Sequence, residues 1–307
     1  MPSAEQQSPG AGPMGVMSIT PFRSDGALDE DLLAAHLARF VPHDLSVYLC
    51  SQGSGEGLSL TTAEKARVYA IGVEVLGGHC EVVGAGIGLT GDTERAIEEV
   101  TALSATGVDA IQVFPPRTGA LRPRDREIER YYDEVIAAAT CPVIIGENVT
   151  LVGYEIGIRV LRSVISRHES VTGLSWTVPG TGVASLTGVV GEFGGRVQVR
   201  TGLLHHLGNM AALGGTGVLC FDGNVVPALV SSAWSETISL GVHHGGAFGQ
   251  LLALNAALSR YGNPASIKAA LRHLGLPAGA LRRPFLGLES AEEAELAAWL
   301  DRLDVLP

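Results

Sequence analysis

The chain has 307 residues, of which 46% are hydrophobic and 17% charged, and its net charge is −11. This length supports one large core or two ordinary domains, and the composition excludes a disordered chain. The acidic balance argues against nucleic acid and anionic membrane as partners, since both select for clustered Lys and Arg, and only two lysines, Lys65 and Lys268, are present.

The opening "MPSAEQQSPGAGP" is polar and rich in Pro and Gly, without the basic start and apolar centre of a signal peptide, so residues 1–14 read as a flexible tail. No apolar run reaches membrane-spanning length. The four cysteines (Cys50, Cys80, Cys141, Cys220) are widely spaced and read as buried reduced thiols. The expected location is the cytoplasm.

Short apolar runs then follow in order: "GVMSIT", "LSVYLC", "CEVVGAG", "DAIQVF", "CPVIIG", "SVTGLS", "RVQVRTG" and "TGVLCF". Each is continuous, as in strands of a parallel sheet covered on both faces. Amphipathic helical segments lie between them, with N-cap signals at Thr62 and Asp92. Strict alternation of eight strands and eight helices predicts a (β/α)8 TIM barrel over residues 15–240. The helical pattern continues past closure, giving a C-terminal helical extension over 241–307. Chemistry in such a barrel sits where strands end and βα loops begin. The candidate positions are Thr20, Ser51 to Glu56, Gly84 to Gly86, Phe114 to Arg117, Gly146 to Asn148, Ser175 to Thr177, Arg200 to His206 and Phe221 to Asn224.

Three stretches resemble the dihydrodipicolinate synthase/N-acetylneuraminate lyase family: "SITPFRSDGALDEDLLAAHL", "GSGEGLSLTTAEK" and "PASIKAALRHLGLPAGALRRPFLGL". The resemblance runs from about Gly15 to the end. It implies a 2-oxo acid held as a Schiff base on a lysine at the end of the sixth strand, a proton-relaying tyrosine at the end of the fifth, and a nearby arginine for a carboxylate. In this chain those positions read Ser175, Gly146 and Leu151. A serine hydroxyl cannot form an imine, and neither Lys65 nor Lys268 belongs to a strand end. The family's second tyrosine, lent across a subunit interface, falls near Arg117. Ser54 keeps a hydroxyl where the family has threonine.

What stands in their place is read in two ways. Ser175 and Trp176 form part of a new pocket, the indole as an apolar wall, or they fill a degenerate one. Glu147 is a general acid or base in a dry mouth, or a solvated loop carboxylate. Arg200 binds a substrate anion, or pairs internally with Glu147 or Asp222. Asp222 and Asn224, at the end of the eighth strand, join Ser54, Arg117, Trp176 and Arg200 as candidate substrate contacts, although Asn224 also reads as structural. Glu56 is read as holding the glycine-rich loop through backbone N–H groups. The loop is no phosphate loop, since it lacks a Gly-Lys-Ser/Thr ending, and no cofactor is expected. No metal is expected either: His205 and His206 diverge, the alternative being a mixed site with Glu147 and Asp222, and His243 and His244 read as surface residues.

The function expected is that of a small-molecule enzyme of this family working without a Schiff base, by lyase, hydratase or isomerase chemistry. The catalytic residues are Glu147 and Ser175, and the vacated tyrosine space opens a ligand cavity bounded by Ser54, Glu147, Ser175, Trp176 and Arg200. The resemblance implies a homo-oligomer, a dimer or tetramer. The alternative is an inactive paralogue that binds a metabolite or a partner barrel.

Overall fold

Eight parallel strands close into a barrel in sequence order. The computed structural model describes residues 12–178, 182–242 and 245–303. The strands are β1 (Met14–Met17), β2 (Ser46–Leu49), β3 (Glu81–Ile87), β4 (Ala110–Val113), β5 (Val143–Asn148), β6 (Val171–Thr177), β7 (Gln198–Thr201) and β8 (Gly217–Cys220). All eight apolar runs of the sequence supply one strand each. The first 11 residues of the expected tail lie outside the described residues, and β1 starts within its last one.

The outer helices are α1 (Glu30–Ala38), α2 (Thr62–Leu76), α3 (Thr93–Ser104), α4 (Asp125–Ala137), a single turn α5 (Val149–Val152), α6 (Ile158–Arg167), α7 (Gly182–Phe193), α8 (Leu207–Leu213) and α9 (Pro227–Leu240). Thr61, not Thr62, caps α2: its hydroxyl accepts from the Glu64 N–H while the Glu64 carboxylate accepts from the Thr61 N–H. Asp92 caps α3 as expected. The extension comprises α10 (Ala247–Arg260), α11 (Ala265–His273) and α12 (Ser290–Leu300). No helix among the described residues is long and apolar enough to cross a membrane.

Strand alternation divides the core in two. Tyr48, Val83, Ala85, Ala110, Ile144 and Leu219 pack inside the barrel. Ile145, Leu174, Trp176 and Val199 belong to the larger layer between strands and helices. Gly146 is thereby inward, two residues beyond Ile144. Gly173 is also inward, since a Cβ there would meet the Ile144 side chain, and so is Ser175.

The extension is tied to the barrel by a buried ion pair. Lys268 Nζ on α11 lies 2.6 Å from Glu56 Oε1 and also donates to the Thr20 and Ala280 carbonyls, with both charged side chains fully buried. The other Glu56 oxygen accepts from the Arg282 N–H at 2.9 Å. Glu56 sits at φ 49°, a left-handed conformation that costs a non-glycine residue energy unless its surroundings hold it. The expectation for Glu56 is a grip on the loop through backbone N–H groups; the partners found are the Arg282 N–H and Lys268, both from the extension. Lys268→Met leaves a buried carboxylate uncompensated and should destabilise the protein by about 3–5 kcal/mol. The double variant Glu56→Gln/Lys268→Met should recover part of the loss of melting temperature. No recovery would show that the two residues act separately.

Candidate active site

The mouth of the barrel is built around one row of register partners. Gly146 on β5 pairs with Ser175 on β6, Ser175 with Arg200 on β7, and Arg200 with Gly217 on β8. Barrel strands tilt against the axis, so a row perpendicular to them descends as it passes round. The row starts at the mouth and ends at the floor, where a Cβ on Gly217 would come 1.8 Å from the Pro13 carbonyl.

That descent corrects the expected place of Arg200. Its guanidinium lies at the floor, donating to Tyr48 Oη at 2.9 Å, Glu81 Oε2 at 3.0 Å and the Gly12 carbonyl at 3.3 Å. Ser46 donates to the same Glu81 oxygen at 2.5 Å. Burial alone would lower the Arg200 pKa, but Tyr48 and Glu81 more than reverse the effect. The arginine is paired internally, though with Glu81 rather than Glu147 or Asp222.

Glu147 and Trp176 are themselves register partners, on the opposite face from Ser175. Trp176 is buried in the strand–helix layer and does not wall a pocket. Glu147 is fully buried in that layer too. Its two oxygens each lie 3.3 Å from the Ile156 N–H, just before α6, and Tyr132 of α4 feels its charge. Burial pushes its carboxyl up to about 8. The shift expected for an acid–base residue is present, but on the wrong side of the strand for the mouth.

The space over Gly146, where the resemblance implies a tyrosine, is not an open cavity. The Phe114 ring, at the end of β4, lies across Gly146: a Cβ at Gly146 would meet its ring carbons at 2.6–2.8 Å. Ser175 and Phe114 are both buried. The expected cavity therefore dissolves, with Ser175 inside, Glu147 and Trp176 outside and Arg200 below. Ser54, in the loop above β2, is buried, and its Oγ accepts from Asn263 Nδ2 at 2.9 Å. Arg117, in the loop after β4, is exposed.

The residues ending β8 hold structure together. Asn224 Oδ1 accepts from the Ile19 N–H and meets His36 Nε2 at 3.0 Å, and its Nδ2 donates to the Met17 and Phe221 carbonyls. Burial pushes His36 down to about 3, so its ring is neutral and donates from Nε2. Asp222 accepts from Asn255 of α10 at 3.0 and 3.2 Å, and burial pushes its carboxyl up to about 7. Both side chains are committed to partners within the chain, which leaves little for a substrate. His206 faces Asn209, and His243 and His244 lie outside the described residues. Among the described residues, no cluster of three or more His, Cys, Asp or Glu could hold a metal.

The two lysines are in ion pairs. Lys65 Nζ is 2.6 Å from Glu99 and also donates to the Gly86 carbonyl, while Lys268 is held by Glu56. Beside Lys65, a cavity of about 580 Å³ opens outside the barrel, lined by Thr61, Leu89, Arg95, Glu98 and Glu99 among others. Sequence reasoning missed it because two helices and two loops contribute its walls.

Residues 12–303 match the dihydrodipicolinate synthetase family. The chain belongs to this family. It is similar to an uncharacterized DapA-like lyase of Rhizobium meliloti, 25% identical with 94% of each chain covered. It is also similar to the 4-hydroxy-tetrahydrodipicolinate synthase of Moorella thermoacetica, 27% identical over 94% of this chain and 97% of that one. The dihydrodipicolinate synthase structure from Aquifex aeolicus superposes with a TM-score of 0.86 at 22% identity, covering 96% of this chain and 99% of the other, and supports the fold. Members of the family are lyases that act on small molecules and are usually oligomeric.

The position of Glu147 has a measurable consequence. Its folded pKa is raised above the unfolded value, so its contribution to stability is complete below about pH 4.5 and is lost as pH rises through about 8. Glu147→Gln removes the ionisation. At pH 8.5 the variant should exceed the parent in stability by about 1–3 kcal/mol, with the gap closing near pH 5. Equal pH slopes in thermal melts of the two proteins would place Glu147 in contact with solvent.

Proposed function

We propose that this chain is a lyase-family enzyme that acts on a small carbonyl or carboxylate compound without forming an imine. The observation that carries this reading is the side chain that β6 turns into the barrel: a hydroxyl, at Ser175, where the family resemblance calls for an amine. Imine formation needs an uncharged amine with access to a carbonyl. Both lysine amines are instead held 2.6 Å from carboxylates.

In this reading the Ser175 and Ser54 hydroxyls donate to oxygens of the ligand and polarise it. Ser54 Oγ accepts from Asn263, which leaves its own proton available to donate. Arg117 is an exposed cation of the β4 loop and serves a ligand carboxylate. Lyase, hydratase and isomerase chemistry all begin from such a polarised carbonyl. The protein works in the cytoplasm as a homo-oligomer, without a cofactor.

One observation favours a second reading, in which the barrel binds a metabolite or a partner barrel without turnover. Glu147, the titratable group assigned to acid–base work, faces the helices. Ser54, Phe114, Gly146 and Ser175 supply no group that titrates near neutral pH. Mass spectrometry of the ligand retained on purification, followed by a turnover assay on that compound, separates the two readings.

Treatment with pyruvate and borohydride should leave the mass of the protein unchanged. Ser175→Lys places an amine on the inner face of β6 and should gain the mass of one reduced pyruvyl group. A stable adduct on the parent protein would overturn the imine-free reading.

A further inference from the structure

We propose that a cavity between the end of α1 and the start of α9 binds a small amphipathic anion, one carboxylate on a compact apolar body. The cavity measures about 280 Å³. None of the mouth residues Ser54, Phe114, Gly146 and Ser175 lines it, so it is independent of the function proposed above.

The charge comes from Arg39, the residue that ends α1. Its Nη1 donates to the Asn224 carbonyl at 2.5 Å and its Nη2 to the Val225 carbonyl at 3.0 Å, which fixes the guanidinium against the turn leading into α9. Those bonds use two of its five N–H donors. The buried cations Lys65, Arg200 and Lys268 each face a carboxylate within the chain. Arg39 is half-buried, yet among the described residues no carboxylate forms an ion pair with it, and burial alone lowers its pKa. A guanidinium withdrawn from water and held in place, but given no counter-charge, is a preorganised partner for an anion, and a carboxylate matches its paired donors.

His43 stands on the same wall. Burial and the Arg39 charge lower its pKa, so at pH 7 the ring is neutral and offers one N–H donor. The remaining walls are apolar, from Val226, Pro227, Leu229 and Leu276. Two donor groups on one side and apolar walls on the others suit a ligand with a charged head and an apolar body. The volume falls at the lower edge of the roughly 300–1,000 Å³ of pockets for drug-sized molecules, so a single ring or a short branched chain fits and a nucleotide cofactor does not. The net charge of −11 makes general attraction of anions to this protein unfavourable, so the field that selects the ligand is local.

Benzoate, benzamide and acetate are the probes, titrated calorimetrically into the full-length protein at pH 7. Benzoate should bind at least about tenfold more tightly than benzamide, which keeps the ring without the charge, and than acetate, which keeps the charge without the ring. Arg39→Met should weaken benzoate binding at least about tenfold, although it also frees two carbonyls of the turn. Ala228→Asp leaves Arg39 in place. It sets a competing carboxylate at an exposed position of the cavity wall, in the first turn of α9, where an acidic residue is favourable for folding. It should weaken benzoate binding by a similar factor, while the neutral Ala228→Asn should not. Unchanged benzoate affinity in a folded Ala228→Asp variant would put the anion elsewhere and overturn the proposal. Equal affinity for benzoate and benzamide, or no saturable benzoate binding up to about 10 mM, would overturn it as well.

Discussion

The buried amine of Lys268 is the point on which three separated parts of the chain converge. Its three donations go to Glu56 in the loop after β2, to Thr20 after β1 and to Ala280 in the extension. An ammonium in a dry interior is tolerated only when a counter-charge and acceptors replace its lost hydration. Burial still lowers its pKa, and Glu56 opposes that shift. Because Glu56 stands in the left-handed region, the same contact holds the loop in a backbone conformation it would not keep alone. The shape of the loop that presents Ser54 thus depends on helices that contribute nothing to barrel closure.

Arg200 and Glu147 show two other ways of burying charge. Arg200 keeps its charge because Glu81 and Tyr48 surround it at the barrel floor. Glu147 has a single backbone donor, shared between its oxygens, and its carboxyl shifts towards the neutral form instead. The contrast follows from partners and not from depth, since both groups are buried. A raised pKa alone therefore does not mark a catalytic residue in this chain; the face of the strand decides whether a ligand can reach it.

The family scaffold survives here with a different mouth. The family match spans residues 12–303, and the barrel superposes on a family structure over 96% of the chain. In the reading proposed here, Ser175, Gly146 and Phe114 bring a hydroxyl and a ring where the family resemblance calls for an amine and a phenol. Changes of this kind are compatible with the fold because the mouth side chains lie at strand ends, above the interior layers that close the barrel.

The sequence alone determined the barrel, its eight strands and its extension, because apolar runs of strand length and helical periodicity are local patterns. It also showed that Lys65 and Lys268 are the only two lysines, while the place of Ser175 at an amine position comes from the family resemblance. It placed Asn224 among structural residues as well as ligand contacts, and the structural role accounts for all its side-chain bonds. Facing was decided by the tertiary structure. Glu147 and Ser175 are both strand-end residues in one dimension, yet register and pleat send them to opposite sides of the sheet. Arg200 is adjacent to Ser175 by register, yet strand tilt carries it to the floor. The filling of Gly146 by Phe114 joins residues 32 positions apart, and the pairing of β4 with β5 brings them side by side.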